Sequence, residues 1–422
     1  MAHALTAQSP TSKHSYFCPC PRGLEAALAE EISEIAQLTA PAVTLKVHNQ
    51  VPGGVHCSGL LTDAWRINLH SRIASRVLMR LAHGSYKTEN DIYDTVLEQE
   101  WENWFSVGHT IRVDVTAIKS PLRSLEFTTL KIKDAICDRF RDICDERPSV
   151  DTHTPDMRIV GFLDAHNFTL YLDTSGEALF KRGWRAETGD APLRENLAAG
   201  LLRTAGWKPG TVLFDPMCGS GTILIEAAQI LAGIPSGARR NFAFEKFHGF
   251  DIAQWQAIKG AIKPNPVPTT PTIFGSDISG DMVSITRENL HNAGILFEVP
   301  LKQIEAQEVR PPNELSGSSG IMLTNPPYGE RIGVRGDSTL ATEDLFNEFF
   351  NAFGNTLKQR FAGWTVFLFT ADLTLPKLLR LKEARKTPFF NGALECRLFR
   401  FDMVAGFNRR EAAKPKEQSG NS

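Results

Sequence analysis

The tetrapeptide Asn325-Pro326-Pro327-Tyr328 combines residue types that can hold a planar amine for chemistry. The two prolines fix the backbone, so Asn325 is held extended and its amide is aimed. The Asn325 side-chain oxygen and the Pro326 carbonyl can each accept one hydrogen from an exocyclic NH2 group, while Tyr328 offers a stacking face. Holding both hydrogens out of the ring plane restores the nitrogen lone pair. These residue types predict catalytic roles for Asn325, Pro326, Pro327 and Tyr328.

The same tetrapeptide, taken alone, is also an ordinary rigid surface turn, because Asn-Pro and Pro-Pro pairs form turns. Its place in the chain favours chemistry instead. It follows the apolar run Ile321 to Leu323, which reads as a parallel strand, and a glycine loop of cofactor type precedes it in the chain.

The glycine loop is Asp215-Pro-Met-Cys-Gly-Ser-Gly-Thr222, at a predicted strand-to-helix junction. Glycines there let the backbone approach a nucleotide-like ligand at the carboxyl edge of a sheet. Leu224 stands where a dinucleotide fingerprint requires Gly or Ala, so a pyrophosphate cradle fits poorly. Because the carboxylate of Asp215 would repel phosphate, the loop favours a cationic ligand, such as the amino group or sulfonium of S-adenosylmethionine.

Acidic residues after the next strands are candidates for the rest of that ligand. Asp277 directly follows a predicted strand and is favoured over Asp251 for ribose hydroxyls, since Asp251 suits the cap of a following helix. Glu305 is either an adenine contact or a solvated surface glutamate. The predicted cofactor-binding residues are Asp215, Pro216, Met217, Gly219, Gly221, Thr222, Asp277, Ile278 and Glu305.

The composition is that of a globular protein with two or three domains: 422 residues, 42% hydrophobic and 22% charged. No apolar stretch approaches the roughly 20 residues that cross a bilayer, and the N-terminus lacks a secretory signal, so we expect a cytoplasmic protein. Seven cysteines, an odd number, favour reduced thiols. The spacing of Cys18-Pro-Cys20 does not suit a zinc site, and we expect no metal.

The net charge of −2 does not by itself indicate a nucleic-acid-binding protein. Any such function must rest on local basic patches. One runs from Lys119 to Arg141, and the other is Lys377-Leu-Leu-Arg-Leu-Lys-Glu-Ala-Arg-Lys386.

Two kinds of element pattern divide the chain. The first part reads as α+β, with a helix from about residue 62 whose apolar positions include Trp65 and Val77, and whose exposed face is predicted to carry arginines. A strand, a basic loop, a helix and a hairpin follow. From Gly210 onward, strands and helices alternate, which predicts an α/β, mostly parallel, doubly wound sheet. The arginines predicted to be exposed are Arg66, Arg72, Arg76 and Arg80.

Together these motifs resemble the bacterial 23S ribosomal RNA guanine-N2 methyltransferases that carry a THUMP domain, which are class I methyltransferases. The resemblance rests on the glycine loop, on Gly275-Ser-Asp277 and on Thr324-Asn-Pro-Pro-Tyr-Gly-Glu-Arg331. N-terminal segments such as Lys181-Arg-Gly-Trp-Arg185 have counterparts there as well. The implied roles are methionine binding by residues 215–222, ribose binding by Asp277, adenine binding by Glu305 and guanine binding by residues 325–328.

The resemblance also implies a Rossmann-like methyltransferase domain after an α+β module with a THUMP domain. We place a ferredoxin-like subdomain at 1–60, the THUMP domain at 61–175, the methyltransferase domain at 176–407 and a disordered tail at 408–422. Some relatives carry a second methyltransferase domain; we expect the single-domain form here. The basic residues that would contact RNA phosphates, or alternatively carry ordinary solvated charge, are Lys119, Arg123, Lys131 and Lys133.

The predicted function is therefore transfer of a methyl group from S-adenosylmethionine to the N2 amine of a guanine in 23S ribosomal RNA or a large-subunit precursor. A tRNA guanine-N2 or an adenine-N6 methyltransferase of the same architecture is an alternative, since the tetrapeptide cannot distinguish guanine from adenine. An RNA-binding assembly factor without catalysis is the alternative from another class. The intact glycines and the intact Asn325 disfavour it.

Overall fold

The computed structural model describes residues 12–38, 43–185, 193–312, 319–327 and 339–404. These ranges contain two seven-stranded sheets, one in each half of the chain. Tyr328 and the tail predicted to be disordered lie outside the described residues. None of the described helices is long and apolar enough to cross a bilayer.

The first sheet has the strand order β2-β3-β1-β4-β7-β6-β5. Only β5 and β6 pair in parallel; the other neighbours are antiparallel. Because β1 pairs with β4, the segments predicted as ferredoxin-like and THUMP units share this sheet, and their boundary stays a prediction. The elements are β1 (His14–Pro19), α1 (Glu25–Gln37), β2 (Lys46–Val51), β3 (Gly54–Gly59), α2 (Leu61–His70), β4 (Leu78–Ser85), α3 (Glu89–Leu97), β5 (Ile111–Ala117), α4 (Leu125–Cys144), β6 (Met157–Leu163) and β7 (Asn167–Asp173).

The second sheet has the order β10-β9-β8-β11-β12-β14-β13, parallel from β10 to β12 and antiparallel at β14 and β13. This confirms the predicted α/β, mostly parallel, doubly wound sheet. The elements are α5 (Glu195–Thr204), β8 (Leu213–Asp215), α6 (Thr222–Ala232), α7 (Ile252–Gly260), β9 (Ile273–Asp277), α8 (Gly280–Asn292), β10 (Leu301–Gln303), β11 (Ile321–Thr324), α9 (Thr339–Arg360), β12 (Thr365–Thr370), α10 (Leu375–Leu378), β13 (Arg385–Asn391) and β14 (Leu394–Asp402).

Apolar side chains cover both faces of the second sheet. On one face, α9 buries Phe350, Phe353 and Leu357 in a cluster with β12. On the other face, Leu224 of α6 belongs to a cluster that continues into the first sheet and its helices. Trp65 of α2 stacks on Phe244 with ring centroids 5.3 Å apart, so the two halves share one core.

The helix predicted from about residue 62 is present as α2, but the prediction that it continues to Val77 with an exposed face of arginines was wrong. Helix α2 ends at His70, because the buried carboxylate of Glu31 accepts hydrogen bonds from the Ser71 hydroxyl and the Arg72 amide, at 2.6 and 2.9 Å. Arg72 pairs with Glu226, and Arg76 pairs with Asp173. These partners lie far away in the chain, so helical periodicity could not reveal them.

A buried ion network joins the two halves at Glu226, which lies on α6 and is fully buried. One carboxylate oxygen is 3.0 Å from an Arg72 guanidinium nitrogen, and the other is 3.1 Å from Arg182 Nε. Arg182 also donates to the Arg72 carbonyl at 2.6 Å. Removing one partner of such a network leaves a buried charge without compensation. The network therefore fixes the α2–β4 connection against the helix that begins at the glycine loop.

We expect Glu226→Ala to lower the free energy of unfolding by about 3–5 kcal/mol, because two guanidinium groups lose their buried counterion. The matched control is Glu34→Ala, which removes an exposed partner of Arg203 and should cost about 0–1 kcal/mol. Urea unfolding of both variants measures the difference. Equal urea midpoints for the two variants would contradict a structural role for the network.

Candidate active site

The carboxyl ends of three neighbouring parallel strands form the candidate site. Strand β8 ends at Asp215, β9 ends at Asp277, and Asn325 directly follows β11. Asp215 is in register with Gly275 of β9, and Phe214 with Met322 of β11. The strand order reverses between β8 and β11, and ligands of doubly wound sheets bind in the crevice at this point.

Hydrogen bonds from neighbouring strands and helices hold the glycine loop in shape. The Asp277 carboxylate accepts from the Gly219 amide at 2.8 Å and, with its other oxygen, from the Ser279 amide at 3.0 Å. The Cys218 amide donates to the Ser276 carbonyl at 2.9 Å, and the Thr286 hydroxyl donates to the Gly219 carbonyl at 2.7 Å. The shape of the loop is therefore held by hydrogen bonds within the protein.

The two glycines of the loop have different physical roles. Both have positive φ, 82° at Gly221 and 53° at Gly219. A Cβ atom on Gly221 would lie 2.6 Å from Thr286 Cγ2, whereas a Cβ on Gly219 would meet no atom within 4 Å. Gly221 is thus required by packing against α8, while Gly219 leaves an open face over which a ligand can approach.

Asp215 is a buried carboxyl group, only 2% exposed, that accepts a hydrogen bond from the Met217 amide at 3.2 Å. Burial raises the pKa of Asp215 to about 7, and the negative charge of Asp277 acts in the same direction. A carboxyl group poised near neutrality ionises readily when a cation is placed beside it. This fits the predicted preference of the loop for a cationic ligand.

Two further predicted cofactor residues lie at the ends of β9 and β10. The Ile278 side chain is 65% exposed beside the site edge and offers an apolar surface to a flat ligand. The amide of Ile304 donates to the Asp277 carbonyl at 3.0 Å, which brings the segment after β10 to the same edge. Gln307 Nε2 donates to the Glu305 carboxylate at 2.5 Å, so the adenine role of Glu305 stays a prediction.

Asn325 presents a buried amide oxygen that accepts no hydrogen bond from the residues described. Leaving such an acceptor unpaired costs about 1–3 kcal/mol, which a donor on a bound ligand would recover. The neighbouring Pro326 is buried as well. The arrangement can therefore accept hydrogens from an amine, as the sequence predicted, while the stacking role of Tyr328 falls outside the described residues.

Sequence reasoning assigned no role to Arg185, which supports the glycine loop from the other side. Its guanidinium donates to the hydroxyls of Ser220 and Thr222, both at 3.0 Å, and pairs with buried Glu195 at 2.9 Å. In the sequence, Arg185 was indicated only by its place in the family motif Lys181-Arg-Gly-Trp-Arg185. Asp251, the rejected ribose candidate, caps α7 by accepting from the Gln254 amide at 3.0 Å, as predicted.

The four basic residues predicted to contact RNA lie on the first sheet's β5–α4 segment, not at the site edge. Lys119 and Arg123 are exposed. Lys131 lies over the rings of Tyr93 and Phe127, at 5.5 and 5.7 Å from their centroids, and Lys133 pairs with Asp134 at 2.6 Å. The segment thus combines exposed cations with cations that already have partners.

The strand order of the second sheet, with the glycine loop after β8, defines a class I methyltransferase fold. The chain belongs to the family described as RMKL-like, methyltransferase domain, which matches residues 182–400. Two more families match the N-terminal half, the THUMP domain at residues 86–173 and the RlmL ferredoxin-like domain at residues 15–78. The predicted family resemblance is confirmed.

Similar proteins cover the chain almost completely. The ribosomal RNA large subunit methyltransferase K/L of Psychromonas ingrahamii is 39% identical over 90% of this chain and 49% of its own length. The protein of that name from Methylococcus capsulatus is 36% identical over 92% of this chain and 51% of its own length. The chain therefore spans about half the length of the curated relatives it matches.

Two solved structures share the whole architecture. A proposed methylase from Clostridium difficile 630 has a TM-score of 0.79 and 26% identity, and covers 96% of this chain and 100% of its own. SMU.472, a proposed methyltransferase solved in complex with SAH (S-adenosylhomocysteine), has a TM-score of 0.76 and 27% identity, and covers 93% of this chain and 98% of its own.

We expect Gly221→Ala to destabilise the protein more than Gly219→Ala. Both substitutions carry the backbone cost of a left-handed residue, about 1–2 kcal/mol, and Gly221→Ala adds about 1–3 kcal/mol for the overlap with Thr286. Urea unfolding of both variants without ligand provides the comparison. Equal losses would show that contact with α8 does not require Gly221.

Proposed function

We propose that this protein transfers the methyl group of S-adenosylmethionine to the exocyclic N2 amine of a guanine in 23S ribosomal RNA. The observation that carries the proposal is the buried amide oxygen of Asn325, at the strand end beside the glycine loop, which accepts no hydrogen bond from any described residue. Family membership supports the chemistry, and the names of the relatives, ribosomal RNA large subunit methyltransferase K/L, support the acceptor. Those relatives are about twice as long as this chain, so ribosomal RNA as the methyl acceptor of this chain is part of the proposal.

The residues at the site edge fit the proposed cofactor, which supplies an electrophilic methyl group when bound. Residues 215–222 would hold the methionine portion, with the Asp215 carboxylate facing its positive charge and Gly219 leaving room for it. The two Asp277 oxygens each accept one backbone hydrogen bond and retain lone pairs for ribose hydroxyls. Ile278 would contact the adenine face, and Glu305 its edge. The SAH complex of SMU.472 supports S-adenosylmethionine as the cofactor, and the residue roles are part of the proposal.

Asn325 and Pro326 would position the acceptor rather than act as bases. The Asn325 side-chain oxygen and the Pro326 carbonyl each accept one hydrogen of the amine, which directs the nitrogen lone pair toward the methyl group. A neutral amide is too weak a base to take the proton, so the proton leaves to solvent after transfer. The catalytic contribution is positioning, and neither a covalent intermediate nor a metal is required.

The guanine must leave its stack to reach Asn325, at a cost of about a few kcal/mol. Stacking on Tyr328 and the two hydrogen bonds to the amine would offset that cost. The THUMP domain supports RNA as the substrate class. Lys119, Arg123, Lys131 and Lys133 would contact its phosphates, and Lys119 and Arg123 are the exposed members of that set.

We expect Asn325→Ala to lower kcat by about 100-fold or more, with unchanged affinity for S-adenosylmethionine, because only the amine loses its acceptor. Asn325→Asp keeps an acceptor oxygen and should retain more activity. In cells that lack the gene, nucleoside mass spectrometry of ribosomal RNA should show loss of one 2-methylguanosine, restored by wild type and not by Asn325→Ala. If the methylated nucleosides of ribosomal RNA are unchanged and those of tRNA are altered, the substrate is tRNA. If neither RNA changes, the enzyme assignment is overturned.

We expect the affinity for S-adenosylmethionine to rise by up to about tenfold between about pH 6 and pH 8. Since burial raises the pKa of Asp215 to about 7, the free protein carries a neutral Asp215 at the acid end of this range. A cationic ligand prefers the carboxylate, so binding strengthens as pH rises through that pKa. Calorimetric titration measures the affinity. In Asp215→Asn the affinity should depend less on pH. An unchanged dependence on pH would exclude the Asp215 carboxyl group as its cause.

A further inference from the structure

Helices α1 and α4 pack on the same face of the first sheet. Leu28 of α1 and Ile132 of α4 belong to the hydrophobic cluster that contains Tyr16, Met79 and Leu172 of the strands. Successive side chains of a strand point to opposite faces, so the neighbours of these strand residues project from the other face. We call that other face the aromatic face, and its defining side chains are Phe17, His56, Arg80, Phe162 and Tyr171.

The apolar side chains of the aromatic face contact one another and not the core. The ring centroid of Phe17 lies 4.9 Å from that of His56 and 6.1 Å from that of Tyr171. Phe17, Phe162 and Tyr171 all lie outside the two hydrophobic clusters of the described residues. Phe17 and Phe162 are half-buried, so part of each ring is available to a ligand. Aromatic rings on the surface of a sheet are platforms on which nucleic-acid bases stack.

The strands of the first sheet carry more cations than acids, although the whole chain has a net charge of −2. The acids in these strands are Asp114 and Asp173, and both pair with arginines. Arg80 is exposed and donates to the Ser15 hydroxyl at 3.2 Å, and the described residues give it no ion-pair partner. Its charge is therefore available to an anionic ligand. The cations of the strands, all on the aromatic face, are Lys46, Arg80, Arg112 and Arg158.

The positive charge of this face acts on His56, which lies beside Phe17. Burial lowers the pKa of His56, and the charges of Arg80 and His48 act in the same direction. The face is therefore positive even when His56 is neutral. A sheet face that meets only water carries polar side chains, whereas this one combines cations with half-buried aromatic rings. Cations and rings together match a polyanion that carries bases.

The aromatic face adjoins the basic loop that was proposed to contact RNA phosphates. Phe162 of β6 is in register with Thr116 of β5, and β5 ends one residue later, at Ala117. The exposed Lys119 follows directly after this strand end. A ligand that lies across the aromatic face thus extends from Phe162 toward Lys119 without leaving the first half of the molecule.

We propose that the aromatic face binds a single-stranded segment of the RNA substrate, with Phe17 and Phe162 stacked on unpaired bases and Arg80 on a backbone phosphate. This inference rests on the proposed function, which makes RNA the ligand, and it deepens that function. Phe17 on β1 and Phe162 on β6 are three strand spacings apart, about 14 Å in that direction, so one strand can contact both rings. Bases inside a duplex do not offer their faces to these rings, so the proposal commits to unpaired RNA.

The double variant Phe17→Leu, Arg80→Gln separates this role from stability. Leucine keeps an apolar side chain at the first position, and glutamine keeps a hydrogen-bond donor for Ser15, so the urea midpoint should stay close to that of wild type. The affinity for a poly(U) oligonucleotide of about 12 nucleotides should fall about tenfold, because a stacking face and a phosphate contact are lost. The logarithmic salt slope of that binding should become smaller by about 0.7. KM for a 23S ribosomal RNA transcript should rise severalfold, with unchanged kcat and unchanged affinity for S-adenosylmethionine.

The matched control is the double variant Phe297→Leu, Lys208→Gln, which changes a half-buried aromatic ring and an exposed cation in the second half of the chain. It should bind the oligonucleotide as wild type does. Equal oligonucleotide affinity for Phe17→Leu, Arg80→Gln and wild type would overturn the inference. Tighter binding of an RNA duplex of the same length than of the oligonucleotide would overturn it as well.

Binding is also measured in the Asn325→Ala background, where it does not depend on turnover. If oligonucleotide binding depends on the aromatic face but wild type methylates no RNA, the proposed function is overturned and this inference stands. If wild type methylates ribosomal RNA and the aromatic-face variant binds RNA normally, the inference is overturned and the proposed function stands.

Discussion

The parallel order of β10, β9, β8, β11 and β12 is the constraint on which the rest of the structure depends. It brings Asp277, Asp215 and Asn325 to one edge, although they are far apart in the chain. The hydrogen bond from the Gly219 amide to the Asp277 carboxylate, 2.8 Å long, then ties the glycine loop to the neighbouring strand. A cationic cofactor and a planar amine can be held side by side only because these strand ends are adjacent.

The same edge is coupled to the first sheet through the interior. Helix α6 begins at the end of the glycine loop and carries Glu226, whose carboxylate binds Arg72 and Arg182 in the buried interface. The stack of Trp65 on Phe244 adds the apolar part of that interface. The half that carries the THUMP domain is thereby held at a fixed position relative to the site. For the proposed reaction, which would select one nucleotide in a long RNA, a fixed spacing between the two halves would be a source of specificity.

The parts of the fold and site that the sequence predicted are those with local causes. Glycines at a strand-to-helix junction, an acid after a strand, and prolines after an asparagine act through their own backbone, so the positions of Gly219, Asp277 and Asn325 could be inferred. Long-range pairing was not visible. Strand β4, helix α5 and the partner of Arg72 were not predicted, since each depends on segments distant in the chain. The hairpin of β13 and β14 and the pair of Arg185 with Glu195 are closer in the chain and were not predicted either. The role of Glu305 could not be predicted from the sequence either. The local sequence pattern does not distinguish a glutamate that contacts a ligand from one that accepts a hydrogen bond from Gln307.

The central claim is that Asn325 presents a guanine N2 amine to a methyl donor bound at the glycine loop. The most direct measurement incubates the purified protein and 23S ribosomal RNA that lacks the modification with S-adenosylmethionine carrying a deuterated methyl group, followed by mass spectrometry of the nucleosides. The account predicts the deuterated methyl group in 2-methylguanosine with wild type and not with Asn325→Ala. Label in 6-methyladenosine, or equal labelling by the two proteins, would contradict it.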